Sequence, residues 1–135
     1  MLDRELRDRV RSRAGHRCEY CRLAQSVDMT GPFHVEHVIA QQHNGSDEFE
    51  NLALACCWCN AIKGPNLTSV DPDTGLVTRL FHPRRDHWHE HFRRDKAQIL
   101  GTTDVGRSTV FLLRFNSDIN VRLRTLLMTL GESLD

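Results

Sequence analysis

Cys18-Glu-Tyr-Cys21 and Cys56-Cys-Trp-Cys59-Asn60-Ala-Ile-Lys63 bracket the stretch that decides this fold. Two C-x-x-C knuckles with 34 residues between them can hold one tetrahedral zinc through four thiolates. A closed site of four sulfurs is structural rather than catalytic. Between the knuckles lie His34-Val-Glu36-His37 and Glu50-Asn51-Leu-Ala-Leu, so a metal would tie together the ends of a segment whose middle carries an acid beside a histidine. The fifth cysteine, Cys57, adjoins Cys56. It reads as a small apolar residue, with an exchange for Cys56 as ligand the alternative.

Working outward, 135 residues give one expected domain, 1–135, with a core over about residues 15–64 and an extension over about 65–135. At 39% hydrophobic and 27% charged, the composition is that of a soluble globular chain. No run approaches the roughly 18 apolar residues a membrane helix needs. The charged start, Leu2-Asp-Arg-Glu-Leu-Arg, has no apolar signal region, so a cytoplasmic location is expected. There, paired C-x-x-C motifs mean metal more often than disulfides.

A formal net charge of +0 hides a pattern. Residues 1–22 carry seven Arg against four acids, residues 23–62 five acids and no Lys or Arg, and residues 63–135 eleven basic against nine acidic. A protein that only coats DNA would be clearly basic. An acidic middle with basic ends suits a cation-dependent site flanked by phosphate-holding arms, among them Arg4, Arg7, Arg11, Arg13, Arg84 and Arg85.

Periodicity supplies the elements. Leu2, Leu6, Val10 and Ala14 predict a helix over 3–14, ended by Gly15. Ser26–Gly31 reads as a connector. Strands are expected over 33–39 and 52–56, separated by a polar loop with an Asn44-Gly45 turn, and a short helix over 58–63 follows. Beyond Pro65, strands are expected over 76–81 and 97–102. Residues 87–92 read as extended, with Trp88 and Phe92 on one face and His87, His89 and His91 on the other. Two helices complete the pattern, one from Arg107 and one capped by Asp118.

Three pieces in this order resemble the HNH endonuclease family. They are His34-Val-Glu36-His37-Val-Ile, Glu50-Asn51-Leu-Ala-Leu, and Cys56-Cys-Trp-Cys59-Asn60-Ala-Ile-Lys63-Gly64 inside the C-x-x-C frame. The resemblance implies an α+β fold: a ββα-metal core stapled by a four-cysteine zinc (Cys18, Cys21, Cys56, Cys59), with an N-terminal helix and a C-terminal mixed extension. It also implies a DNA-cutting hydrolase, RNA being the second substrate class. His37 would be the general base. Glu36 and Asn60 would hold a divalent cation, Mg²⁺ or Mn²⁺/Ni²⁺, and Asn51 would orient the His37 strand. His34 would be an auxiliary ligand or a phosphate contact. Ala40 stands where the family often has proline, and Glu36 where Asp is commoner. Leu80-Phe81-His-Pro83-Arg84 with Trp88-x-x-His91-Phe92 resembles extensions on some bacterial and phage members.

Such chemistry suits these residue types. A phosphodiester resists attack because it is anionic and its alkoxide leaves poorly; a cation on its oxygens offsets both. An imidazole, with an ordinary pKa near 6.5, can accept a proton at neutral pH. Neighbours in a regular strand face opposite ways, so the strand is expected to end or bulge at Glu36 and His37. The alternative reading is a non-catalytic, zinc-stabilised nucleic-acid-binding module.

Overall fold

The stripe Leu2, Leu6, Val10 and Ala14 becomes α1 (Arg4–Arg13), with Val10 and Ala14 buried. Asp3 caps it: the carboxylate accepts the Leu6 N–H at 2.8 Å and sits where the helix dipole favours negative charge. This computed structural model describes residues 2–27 and 31–135. The Ser26–Gly31 connector lies partly outside the described residues. The chain divides into two units, Met1–Asn66 with His82–Arg85, and Leu67–Phe81 with Asp86–Asp135.

In the first unit β1 (His34–His37) pairs antiparallel with β2 (Leu52–Ala55), in the register His34 to Ala55 and His37 to Leu52. All four β2 residues are buried, which explains their unbroken apolar run. α2 (Cys57–Lys63) follows directly and packs on both strands. This is the expected ββα order. The pairing is regular through Glu36 and His37; the strand contains no bulge and ends at His37.

The loop between the strands is tightly shaped. A 3₁₀ turn (Gln41–His43) leads to Asn44 at φ 64°, and the Gly45 N–H returns to the Ala40 carbonyl at 3.0 Å. A Cβ on Gly45 would lie 1.6 Å from the Ile39 carbonyl oxygen, so only glycine fits there.

The second unit holds two hairpins and three helices among the described residues. β3 (Thr68–Val70) pairs with β4 (Val77–Arg79), which is shorter than the strand expected over 76–81. α3 (Trp88–His91) corrects the extended reading of 87–92; the chain becomes a strand only from Phe92, in β5 (Phe92–Asp95). Trp88 and Phe92 sit four apart, a spacing that one helical turn satisfies as well as alternation does. β6 (Gln98–Gly101) pairs with β5.

α4 (Asp104–Leu112) begins before Arg107 because Thr103 caps it, accepting the Gly106 N–H at 3.0 Å. α5 (Asp118–Thr129) is capped by Ser117 rather than Asp118, which instead occupies its first turn. The core of this unit is aromatic: Phe92 lies 5.0 Å from Trp88, 5.3 Å from Phe81 and 5.7 Å from Phe115 between ring centroids. Among the described residues, no helix is long and apolar enough to cross a membrane.

Candidate active site and metal centre

Each knuckle is built by one repeated hydrogen bond. The Cys21 N–H meets the Cys18 sulfur at 3.5 Å, and the Cys59 N–H meets the Cys56 sulfur at 3.4 Å. Backbone turns aim the first pair. Cys18 N–H donates to the Leu23 carbonyl, Arg22 N–H to the Cys18 carbonyl, and Arg22 takes φ 71°. Glu19 then docks this knuckle on β2: its N–H donates to the Leu54 carbonyl, and Oε2 accepts the Leu54 N–H, both at 2.8 Å. The buried Glu19 also pairs with Arg84, whose pKa burial and then the neighbouring Arg13 pull down to about 10.

The four sulfurs of Cys18, Cys21, Cys56 and Cys59 all lie within 4.8 Å of one another. A tetrahedron with metal–sulfur bonds of about 2.3 Å has edges of about 3.8 Å, and Cys21 and Cys56 are separated by 3.8 Å. The donor set therefore fits a structural metal, with zinc the natural occupant. Cys57 is outside the cluster, so the ligand of that adjacent pair is Cys56. Burial works against ionising Cys18, yet hydrogen bonds from the other three thiols outweigh it and hold its pKa well below the ordinary value. The same sharing pushes Cys21 and Cys59 well up. A bound dication would ionise all four.

β1 carries its two central side chains to different partners. Glu36, 8% exposed, receives a hydrogen bond from the Tyr20 hydroxyl on one oxygen and from Lys63 Nζ on the other at 3.3 Å. Lys63 is 2% exposed and also donates to the Val38 carbonyl at 3.0 Å. Burial pushes the Glu36 carboxyl up, with Lys63 and then Tyr20 pulling against it. Burial and then the Glu36 charge push Tyr20 well up, which keeps it a hydroxyl donor. This buried trio joins the first knuckle, β1 and α2.

His37 meets a different group. Its Nε2 lies 2.7 Å from Asp47 Oδ1, and its side chain keeps 21% exposure. Asn51, buried, holds the backbone just beyond. Its Oδ1 accepts the Ile39 N–H at 3.0 Å, while Nδ2 donates to the Ile39 carbonyl at 3.0 Å and to the Ser46 carbonyl at 2.7 Å. Asn60 is half-buried on α2 and its side chain makes no hydrogen bond among the described residues. It stands three residues before Lys63, hence on the helix face that reaches Glu36. His34 is exposed at the start of β1, on the Glu36 side by strand alternation.

A carboxylate, an amide and an imidazole are donor types that a hard, largely hydrated cation accepts, but both Glu36 oxygens are already hydrogen-bonded. Lys63 already neutralises the carboxylate, so a cation there shares Glu36 with an ammonium. Outside the four cysteines, no group of three or more His, Cys, Asp or Glu among the described residues is poised for a metal, His87, His89 and His91 included. His91 is instead held by Thr103 at 2.7 Å.

Two arginine roles differ from the sequence expectation. Arg13 donates to the Phe49 and Leu52 carbonyls at 2.8 and 2.5 Å and stacks 3.6 Å over the Phe49 ring, and Arg84 is spent on Glu19. Asp47, Tyr20 and Lys63 were not singled out by motif. Tyr20 and Lys63 stand within the two knuckle stretches without an expected role, and Asp47 stands outside them.

Neither the curated proteins nor the solved structures compared with the chain contain a match. The family model described as HNH endonuclease matches residues 18–66, from the first sulfur ligand to just past α2.

Proposed function

We propose that this chain is a metal-dependent endonuclease that hydrolyses phosphodiester bonds of DNA, or of RNA as the second substrate class, in a cytoplasmic setting that keeps its thiols reduced. His37 takes the proton from the attacking water. Asn60 and Glu36, with His34 as auxiliary ligand, hold a divalent cation, Mg²⁺ or Mn²⁺/Ni²⁺. When bound, that cation neutralises charge on the phosphate and on the departing alkoxide. Asn51 fixes the backbone after His37, so the imidazole meets the phosphate from a rigid strand end. The four-cysteine metal supplies the frame and no chemistry.

The observation that carries this reading is His37 itself: an imidazole 21% open to solvent, at the end of a strand whose continuation is clamped on both its N–H and its carbonyl. One observation favours the second reading, a nucleic-acid-binding module without cleavage. Both Glu36 oxygens are hydrogen-bonded in the interior, as a purely structural carboxylate would be.

Nicking of supercoiled plasmid with Mg²⁺, Mn²⁺ or Ni²⁺ separates the two. The nuclease reading expects His37→Ala to cut roughly 10²–10⁴-fold more slowly with its metal content unchanged. Wild type and variant that bind the plasmid equally, with neither cutting it, would establish the binding module instead.

A further inference from the structure

The loop after β1 does more than connect. Gly45 lets it pass against the Ile39 carbonyl, and Asn51 ties Ile39 to Ser46, so the next residue, Asp47, returns to the strand it left ten positions earlier. Its Oδ1 then lies 2.7 Å from His37 Nε2 and 3.3 Å from Gln41 Nε2.

We infer that Asp47 is a positioning residue for the base: its carboxylate holds the imidazole of His37 with the proton on Nε2, leaving Nδ1 as the nitrogen that accepts a proton from water. This rests on the nuclease reading above. The hydrogen bonds from His37 and then Gln41 keep Asp47 below the usual carboxylate range, so it is ionised and can only accept. Nε2 must therefore carry the hydrogen, and a neutral imidazole with Nε2–H has its basic lone pair on Nδ1. During attack the water oxygen bonds to phosphorus, its proton passes to Nδ1, and the ester bond breaks with its electron pair going to the leaving oxygen, which takes a proton from solvent. The Nε2–H stays with His37 throughout, its bond to Asp47 stabilising the imidazolium that forms. Nothing in this requires Asp47 to touch substrate or metal.

Long-range proton–nitrogen correlation spectra of the ¹⁵N-labelled full chain, paired with plasmid-nicking kinetics in Mn²⁺, test it. Wild type should show a His37 Nε2–H resonance protected from exchange and a single tautomer. Asp47→Ala should lose the resonance and mix tautomers, with kcat down about 10- to 100-fold and KM unchanged. Asp47→Asn, which keeps an acceptor oxygen, should restore part of both. Asp47 is 48% exposed on its side chain, so the variants should fold, and an unchanged four-cysteine metal content confirms this.

A wild type that nicks plasmid while Asp47→Ala leaves the resonance and kcat as they were would overturn the assignment alone. A wild type whose resonance depends on Asp47 but which never nicks would instead sink the nuclease reading, and the catalytic part of this inference with it.

Discussion

The same device appears in both units. In the first, the Asn51 side chain binds both the N–H and the carbonyl of Ile39, each at 3.0 Å; in the second, Asn116 binds both groups of Ile99, at 2.9 and 2.7 Å. An amide presents one acceptor and two donors in a plane, so it can stand in for a neighbouring strand wherever the sheet stops. The surroundings decide what that achieves. Asn116 completes β6 beside the aromatic cluster, where Arg124, 6% exposed, donates to the Ala97 carbonyl at 2.6 Å and to that of Phe115. Asn51 has a further bond to Ser46, and with it shapes a loop that ends on a solvent-open imidazole. One clamp seals an apolar core; the other organises polar side chains in the unit that carries the four-cysteine cluster.

The largest break in this comparison should come from metal removal. The first unit offers two four-residue strands, α1 and the short α2 as core, and structural zinc in small domains contributes apparent folding energies of about 10–16 kcal/mol. The second unit has no such group of sulfurs. Each unit carries one of the two tryptophans, Trp58 beside the second knuckle and Trp88 in the aromatic core, so single-tryptophan variants report on each. EDTA, or Cys59→Ser, should abolish the native fluorescence of Trp58 and leave that of Trp88. Simultaneous loss of both signals would mean that the second unit depends on the staple too.

Next in size is the buried trio. Glu36→Ala strands the Lys63 ammonium, 2% exposed, with the Val38 carbonyl as its remaining partner, at a cost of about 3–5 kcal/mol. Adding Lys63→Met should recover most of that, because two compatible apolar groups replace a broken pair. Urea unfolding followed at Trp58 measures both. A double variant as unstable as the single would show that the lysine and the carboxylate are not energetically coupled.

How far the sequence disclosed this division depends on the kind of signal. The two C-x-x-C pairs carry their ligand spacing openly, and β2 announces itself as an apolar run, so the stapled ββα frame was legible. Asn51, Asn60 and His37 came only through family resemblance, since a lone Asn or His has no periodic signature. Asp47 was hidden: ten residues separate it from His37, and only the Gly45 close approach and the Ser46 bond bring it back. Glu36 was legible in its chemistry but not in its surroundings. Its chemistry suits a metal ligand, but its burial between Tyr20 and Lys63 is a tertiary fact. In the second unit, four-residue spacing could not separate helix from strand at Trp88 and Phe92, and Ser117 and Asp118 both offered a cap.

Acid sharpens the contrast with the smallest perturbation. In the second unit the Arg107 guanidinium grips both oxygens of Asp71, at 3.0 and 2.8 Å, and holds its pKa down to about 2. A carboxyl depressed in the folded chain stabilises fully above its unfolded value, about 4, and loses that contribution as pH falls through the folded value. Arg107 should therefore defend the second unit over the window from about pH 4 to 2. The first unit responds sooner, because protons compete with the metal for its thiolates. On acid titration the Trp58 signal should change first and the Trp88 signal later. Arg107→Met should move the Trp88 transition up toward pH 4 and leave the Trp58 transition where it was. If Trp88 unfolds at the same pH in wild type and variant, the Asp71 grip is not what protects this unit, and its resistance to acid belongs to the aromatic core alone.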